Sequence, residues 1–316
     1  MNKNNNTPHK TSIGGQALIE GVMMRGPENI ALAVRKSDGE ITVEDMGIKQ
    51  SSFMRVVAKI PIIRGMFNFI SSLVIGYKSL SRSIDLSGLA ENDEEPETKF
   101  EKWLSEKLGD KLVQIVTVIG SVLGVILAIL LFMLVPSAIV KLIDYFLPLG
   151  GFKSLIEGII KMGIFIGYLT LISKMKDIKR VFEYHGAEHK TIFCYEYGME
   201  LTVENVKKQS RFHPRCGTNF MILLLIISIV LFSVITWDNL IVRMILKILL
   251  LPLVMGIGYE LLKLAGRYDN IITRIISWPG IMLQHVTTSE PDESQIEVAI
   301  ESLKAVLPKS EGTDKW

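Results

Sequence analysis

The chain has 316 residues, 48 % of them hydrophobic, and a positive mean hydropathy. That is high for a soluble domain and ordinary for a membrane protein. A formal net charge of only +2 gives no global basic field, so nucleic acid is not an expected partner.

Residues 1–12 are polar, have no apolar run behind them, and read as a disordered tail and not a signal peptide. Residues 13–52 read as a small β unit. Two alternating runs, 30–35 and 40–45, are joined by Lys36-Ser37-Asp38-Gly39, and Asp-Gly between alternating runs signals a hairpin. Residues 53–90 are apolar but contain Arg64 and Asn68. An arginine at mid-bilayer costs roughly 2.5–3.5 kcal/mol, so the segment reads as an interfacial or re-entrant amphipathic helix. Residues 91–111 form an acidic linker and a juxtamembrane helix.

Four stretches are long and apolar enough to span a bilayer: 113–135, 155–173, 220–237 and 240–264. They pair into a first hairpin over 112–173, joined through residues 136–154, and a second over 220–264. Trp237 fits an interfacial anchor. Lysines and arginines follow the second stretch at Lys174, Lys176, Lys179 and Arg180, and the fourth at Lys263, Arg267 and Arg274. By the positive-inside rule these ends are cytoplasmic, as are both termini and the 174–219 loop. The two cysteines, Cys194 and Cys216, both lie in that loop, where thiols stay reduced. Residues 265–316 complete the cytoplasmic part. Within them 295–307 reads as an amphipathic helix capped by Ser289 or Ser294.

The 174–219 loop carries the chemistry. Tyr184-His185-Gly186-Ala187-Glu188-His189-Lys190 contains two of the five histidines in an H-x-x-E-H spacing. On a helix, positions i and i+4 share a face, so His185 and His189 can both aim at one metal ion. Glu188 is then placed as base toward a water on that metal, and the order of residues is the inverted zinc-hydrolase signature. Gly186 is the one poor helix former in the run. A third ligand is needed. His213 and Cys216, three apart in RFHPRCGTN, are candidates, as is Glu260 near the end of the fourth stretch. Lys263, one turn on, offers Glu260 a simpler ion-pair role. Arg64, Arg25 and Glu20 form a second constellation, read as a tight turn with structural arginines. His285 reads as a packed residue.

The blocks GGQALIEGVMMRGP, PIIRG, EYHGAEHKTIFCYE, RFHPRCGTNF and LQHVTTSEPDESQIEVAIESL resemble, in order, the YqhQ-like family of bacterial membrane proteins. The family carries the label of a predicted metal-dependent enzyme. The resemblance implies a membrane location and that these blocks belong together; it implies no substrate.

The expected fold is therefore a mainly α polytopic protein of the inner membrane. It has about four transmembrane helices, an interfacial or re-entrant helix, a small N-terminal β unit and cytoplasmic helices. The expected function is metal-dependent hydrolysis, with zinc the expected metal and the bilayer the implied partner; an oligomer or a membrane-protein partner is left open. The competing reading is a non-enzymatic assembly, regulatory or transport factor. In it the cluster is structural and Glu188 pairs with Lys190 or Arg180.

Overall fold

The computed structural model describes residues 9–47, 57, 59–88, 111–234, 240–310 and 312–315. The acidic linker and Trp237 lie outside them. The described chain is mainly helical, with one four-stranded antiparallel sheet near its N-terminus.

Strands β1 (Gly14–Leu18), β2 (Gly21–Arg25), β3 (Ile30–Arg35) and β4 (Ile41–Asp45) form a meander in sequence order. The expected Asp-Gly turn joins β3 to β4, with Gly39 at φ 90° and its N–H donating to the Lys36 carbonyl at 3.0 Å. β2 and β3 are apolar along almost their whole length because both sheet faces are covered. On one face Val22, Met24, Ala31 and Ala33 pack against two later helices. On the other, Leu18, Leu32 and Val34 meet Ile75 and Leu86.

Ile75 and Leu86 belong to helix α1 (Ile63–Ser87). Its composition is inverted relative to a soluble amphipathic helix. Gly76, Ser79, Ser83 and Ser87 are buried, whereas Ile70, Leu73, Val74 and Tyr77 are exposed, Tyr77 by 69 %. Small residues let the helix approach the sheet closely, and the apolar side chains are turned outward.

Helix α2 (Lys111–Ile129) runs through a π-helical segment, Leu130–Leu134, into α3 (Val135–Phe146). The first span was expected to stop near Pro136. Instead the helix runs on through Pro136, which directly follows the π-helical segment; a local break in the ladder of this kind accommodates a proline that has no N–H to give. The π turn just before it widens the ladder. Helix α4 (Lys153–Ile172) matches the second expected stretch. Next come α5 (Lys176–Glu196), α6 (Val203–Lys207), α7 (Gly217–Ser233), α8 (Leu240–Arg267), α9 (Ile271–Thr287) and α10 (Glu293–Lys304).

Among the described residues, three helices are long and apolar enough to cross a membrane: Ile119–Phe146, Gly150–Ile172 and Ile245–Arg267. Four stretches were expected. The remaining one, α7, is apolar but has 17 residues, about 26 Å of helix against a hydrocarbon core of about 30 Å. α7 packs on α4, α8 and α9, and α1 packs on α8.

Helix α9 repeats the inversion of α1. Ile271, Ile272, Ile275, Trp278 and Met282 are exposed, while Thr273, Ser277, Gly280, Gln284 and Thr287 are buried. The cap of α10 is Asp292, not Ser289 or Ser294: its carboxylate accepts from the Gln295 N–H at 2.9 Å, and Gln295 returns the bond. An acidic side chain at that position fits the positive end of the helix better than a hydroxyl.

The two ends of the described chain meet. The Asp314 carboxylate accepts from Thr11 Oγ1 (2.7 Å) and Tyr195 Oη (3.0 Å), and His9 Nε2 lies 3.0 Å away. Burial alone raises this carboxyl, but Thr11, His9 and Tyr195 outweigh it and hold Asp314 below its usual range. We predict that Asp314→Ala lowers stability by about 2 kcal/mol in chemical unfolding of the full chain. Because the folded-state value is depressed, this contribution is complete above the ordinary aspartate range near ~4 and is lost as pH falls through the lower folded value. The gap between wild type and variant should therefore close on acidification.

Candidate metal centre

Helix α5 is polar by composition yet almost fully enclosed in its second half. From Gly186 to Ile192 every residue is buried. The sheet and α10 cover one side and the 210–216 loop and the end of α9 the other, so the histidine run lies in the middle of the structure and not on a surface.

Gly186 makes that possible. A Cβ there would fall on the Ser289 carbonyl oxygen, and the Ser289 N–H donates to the Phe182 carbonyl at 2.8 Å. The 288–291 segment is thus laid directly against the helix backbone. The feature that weakened the helix reading of this run is what lets its neighbour close over it. Gly15 is held in a similar way, with a Cβ position 2.7 Å from the Met23 carbonyl and 3.0 Å from the Glu188 carboxyl carbon.

Each histidine has one ring nitrogen committed to the backbone. His185 Nδ1 lies 2.8 Å from the Thr287 carbonyl, and His189 Nδ1 lies 2.6 Å from the Arg211 carbonyl. A carbonyl only accepts, so both rings carry their proton on Nδ1. In both rings Nε2 is then the free position. His185 Nε2 sits 3.1 Å from Cys216 Sγ. His189 Nε2 is buried without a hydrogen-bond partner. A backbone carbonyl behind each imidazole is the usual support of a histidine that ligates metal through its other nitrogen.

His185, His189 and Cys216 each offer one ligand atom, all within 4.8 Å of one another. Two imidazoles and a thiolate suit a borderline-soft divalent ion of the zinc type, whose tetrahedral shell separates N and S ligand atoms by about 3.5 Å. Both cysteines are free; Cys194 is buried, with Sγ 3.5 Å from the Glu200 carbonyl.

The charge states agree with this chemistry. Burial pushes the Cys216 thiol up, but His185 and His189 together pull it well below its ordinary value. Burial lowers His185, and the Cys216 sulfur more than offsets it, leaving a pKa of about 9. Both directions favour a proton on His185 facing a Cys216 thiolate.

Glu188 stands beside this set. Its Oε1 accepts from the Gly15 N–H at 2.9 Å, while Oε2 is buried without a partner. The ion pairs that would make it structural are absent: Arg180 clamps Glu20, and Lys190 binds Glu290 at 2.7 Å. Glu188, His189 and Cys216 line one cavity of about 220 Å³, together with β1 residues Gly14–Gln16.

Two other expected ligands are not brought into the set. His213 lies on the far side of His189, ring centroids 5.5 Å apart, with Nδ1 accepting from the Arg215 N–H at 3.3 Å and Nε2 3.6 Å from Glu196. Burial, only partly countered by Glu196, lowers it to about 4, so it is neutral. The turn at Pro214 and Arg215 presents the cysteine and not this histidine to the pair. Glu260 is engaged elsewhere: both its oxygens accept from Arg64, at 2.7 and 2.5 Å. A carboxylate among apolar helices needs a partner, and the guanidinium fork of Arg64 uses both oxygens. His285 is exposed and stacks on Phe212.

Sequence reasoning missed the carbonyls of Thr287 and Arg211 and the N–H of Gly15. All are backbone groups, and no residue type announces them.

Residues 60–309 match the family described as "Protein of unknown function (DUF1385)". Over 295 residues the chain is 36 % identical to "Uncharacterized protein YqhQ" of Bacillus subtilis (strain 168), covering 93 % of this chain and 92 % of that protein. No solved structure matches.

The contact at Gly186 generates a prediction. Gly186→Ala should lower stability by about 1–3 kcal/mol, because the Ser289 carbonyl is backbone and cannot step aside alone. Gly167→Ala, where an added Cβ meets nothing within 4 Å, should not. Thermal unfolding of the two variants side by side checks the difference.

Proposed function

The chain belongs to the DUF1385 family, and from its His–His–Cys cluster we propose that it is a metal-dependent, zinc-type hydrolase of the bacterial inner membrane, with its site on the cytoplasmic face. One observation carries the reading: His189 Nε2 and Glu188 Oε2 are buried, adjacent in sequence, and unpartnered. Leaving two such atoms without partners costs several kcal/mol in total, which a bound ion and the water beside it would recover.

His185, His189 and Cys216 would hold the metal. When bound, it would act as a Lewis acid and make a nearby water nucleophilic at neutral pH. Three protein ligands leave a coordination position open, the arrangement of catalytic sites; structural zinc sites are closed by four. Glu188 is fixed through Oε1 by the Gly15 N–H, which leaves Oε2 to take a proton from the attacking water and return it to the leaving group. The Thr287 and Arg211 carbonyls keep each imidazole in one tautomer.

The three long apolar helices support the membrane location. α7 is read as the fourth crossing, in a hairpin with α8. Lys174, Lys176, Lys179 and Arg180 after α4, and Lys263, Arg267 and Arg274 at and beyond the end of α8, support a cytoplasmic side for the cluster and both termini by the positive-inside rule. The outward apolar stripes of α1 and α9 lie in the interface. A peptide or a lipid-linked molecule is the substrate class such a position serves.

Elemental analysis of the purified full chain tests the reading. The wild type should carry about one zinc per chain. His185→Ala, His189→Ala and Cys216→Ala should each lose it, whereas Glu188→Gln should keep it. A wild type without stoichiometric divalent metal, after growth in zinc-replete medium, would overturn the proposal. Retention of zinc by all three ligand variants would move the site elsewhere.

A further inference from the structure

We propose that the cavity beside the cluster is a phosphate site, with Arg25 as its binding residue, so that the molecule acted on carries a phosphate group. The proposal rests on the functional reading above for the word substrate, but not for the site itself.

The starting point is a charge without a counter-charge. The described arginines that are not exposed are nearly all paired. Arg35 binds Glu297, Arg64 binds Glu260, Arg211 meets Glu290 and Arg215 binds Glu196. Among exposed or partly exposed ones, Arg82 binds Glu44, Arg180 binds Glu20 and Arg274 binds Asp269. Arg267 has no carboxylate but is exposed and lies over the Tyr268 ring. Arg25 is different. It is half-buried at the end of β2, and among the described residues no ion pair or side-chain hydrogen bond engages it.

Its place explains why that matters. Arg25 lines the same cavity as Glu188, His189 and Cys216. On the sheet it is the register partner of Gly14, next to the glycine whose N–H anchors Glu188. A half-buried guanidinium keeps five donors in a planar fork, and the group that satisfies such a fork is a carboxylate or a phosphate. Among the described residues no carboxylate is offered to it: the lining acid there, Glu188, gives Oε1 to Gly15 and leaves Oε2 without a partner. The described residues thus leave the fork open to an oxyanion from outside. Arg215 adds a second positive group to the wall, its own charge shared with Glu196.

The third wall selects between the two oxyanions. Ser72 and Ile75 of α1 line the cavity, and the neighbouring Leu73, Val74 and Tyr77 form the helix's outward apolar face, Leu73 being 57 % exposed. With α1 lying in the interface, as in the functional reading above, such a cavity would open at the level of lipid head groups, where the abundant oxyanion is phosphate. The phosphate can be free in solution or carried on a lipid, and the chemistry at Arg25 is the same for both.

The test is calorimetric titration of the detergent-solubilised full chain, with zinc content measured on the same samples. The probes are inorganic phosphate and short-chain dihexanoyl phosphatidic acid, with acetate as the carboxylate control. Wild type should bind at least one phosphate probe in preference to acetate. Arg25→Gln should weaken that binding about tenfold or more with zinc content unchanged, and Arg25→Lys should fall between, keeping the charge but not the fork. Binding of inorganic phosphate would identify a soluble source, and binding of phosphatidic acid alone a lipid one; either supports the proposal if Arg25 is required. Equal binding by wild type and Arg25→Gln, or no binding of either probe by the wild type, would overturn it. If Arg25→Gln fails to fold, the comparison of wild type with Arg25→Lys decides: unchanged affinity for phosphate counts against the fork and against the proposal. Absence of zinc would sink the hydrolase reading alone, since phosphate binding is read separately.

Discussion

The hydrogen bond from His185 Nδ1 to the Thr287 carbonyl is the interaction on which the rest of the site depends. It settles the tautomer of the ring, turns Nε2 toward Cys216, and does so with a group from the last turn of α9, 102 residues away in sequence. Arg211 does the same for His189. Because both supports are backbone, they are exact only if the helix and the segments crossing it approach closely. Gly186 under Ser289, and the Ser289 N–H on Phe182, secure that approach. The cluster is thus a by-product of how α5 is enclosed, and its side chains inherit the rigidity of the enclosure.

The enclosure has two kinds of exterior. The sheet, α5 and α10 form an ordinary core of aliphatic side chains. α1 and α9 invert the rule, with serine, threonine and glycine inward and isoleucine, leucine and aromatic residues outward. In water this would be an aggregation-prone surface. Against lipid it is the economical arrangement, since small inward residues allow close packing and the outward face needs no polar partner. The same two helices contribute to the site: α1 supplies a wall of the cavity, and α9 supplies the carbonyl behind His185.

Local pattern was enough to read much of this from the sequence. Asp38-Gly39 marked the β3–β4 turn, and the uninterrupted apolar runs marked α4 and α8. The i, i+4 histidines marked a shared helix face, and Cys216 was among the residues named with them. Long-range packing was not legible. Nothing in the order of residues says that Glu260 meets Arg64, 196 positions away, or that His213 is turned aside by its own loop. α9 was passed over because its stripe, Ile271, Ile275, Trp278 and Met282, is interrupted by Pro279 and flanked by polar residues. The helix simply carries the proline within it. Arg25 read as a structural arginine because a sequence shows charges but not which of them lack partners.

The joined ends of the chain bear on the order in which the molecule can be built. The wall formed by residues 12–16 is pinned beside its start: Thr11 donates to Asp314, 303 residues later, and the Ser12 N–H donates to the Asp314 carbonyl. During synthesis the N-terminal strand therefore waits, unanchored on that side, while every apolar helix emerges and is inserted. The contacts of Thr11 and Ser12 with Asp314 form only after residue 314 leaves the ribosome, later than the bonds of the same strand to β2, Glu196 and Glu188. A chain halted between residues 217 and 313 would have His185, His189 and Cys216 and the β1–β2 pairing, but not the Asp314 contacts that pin Thr11 and Ser12.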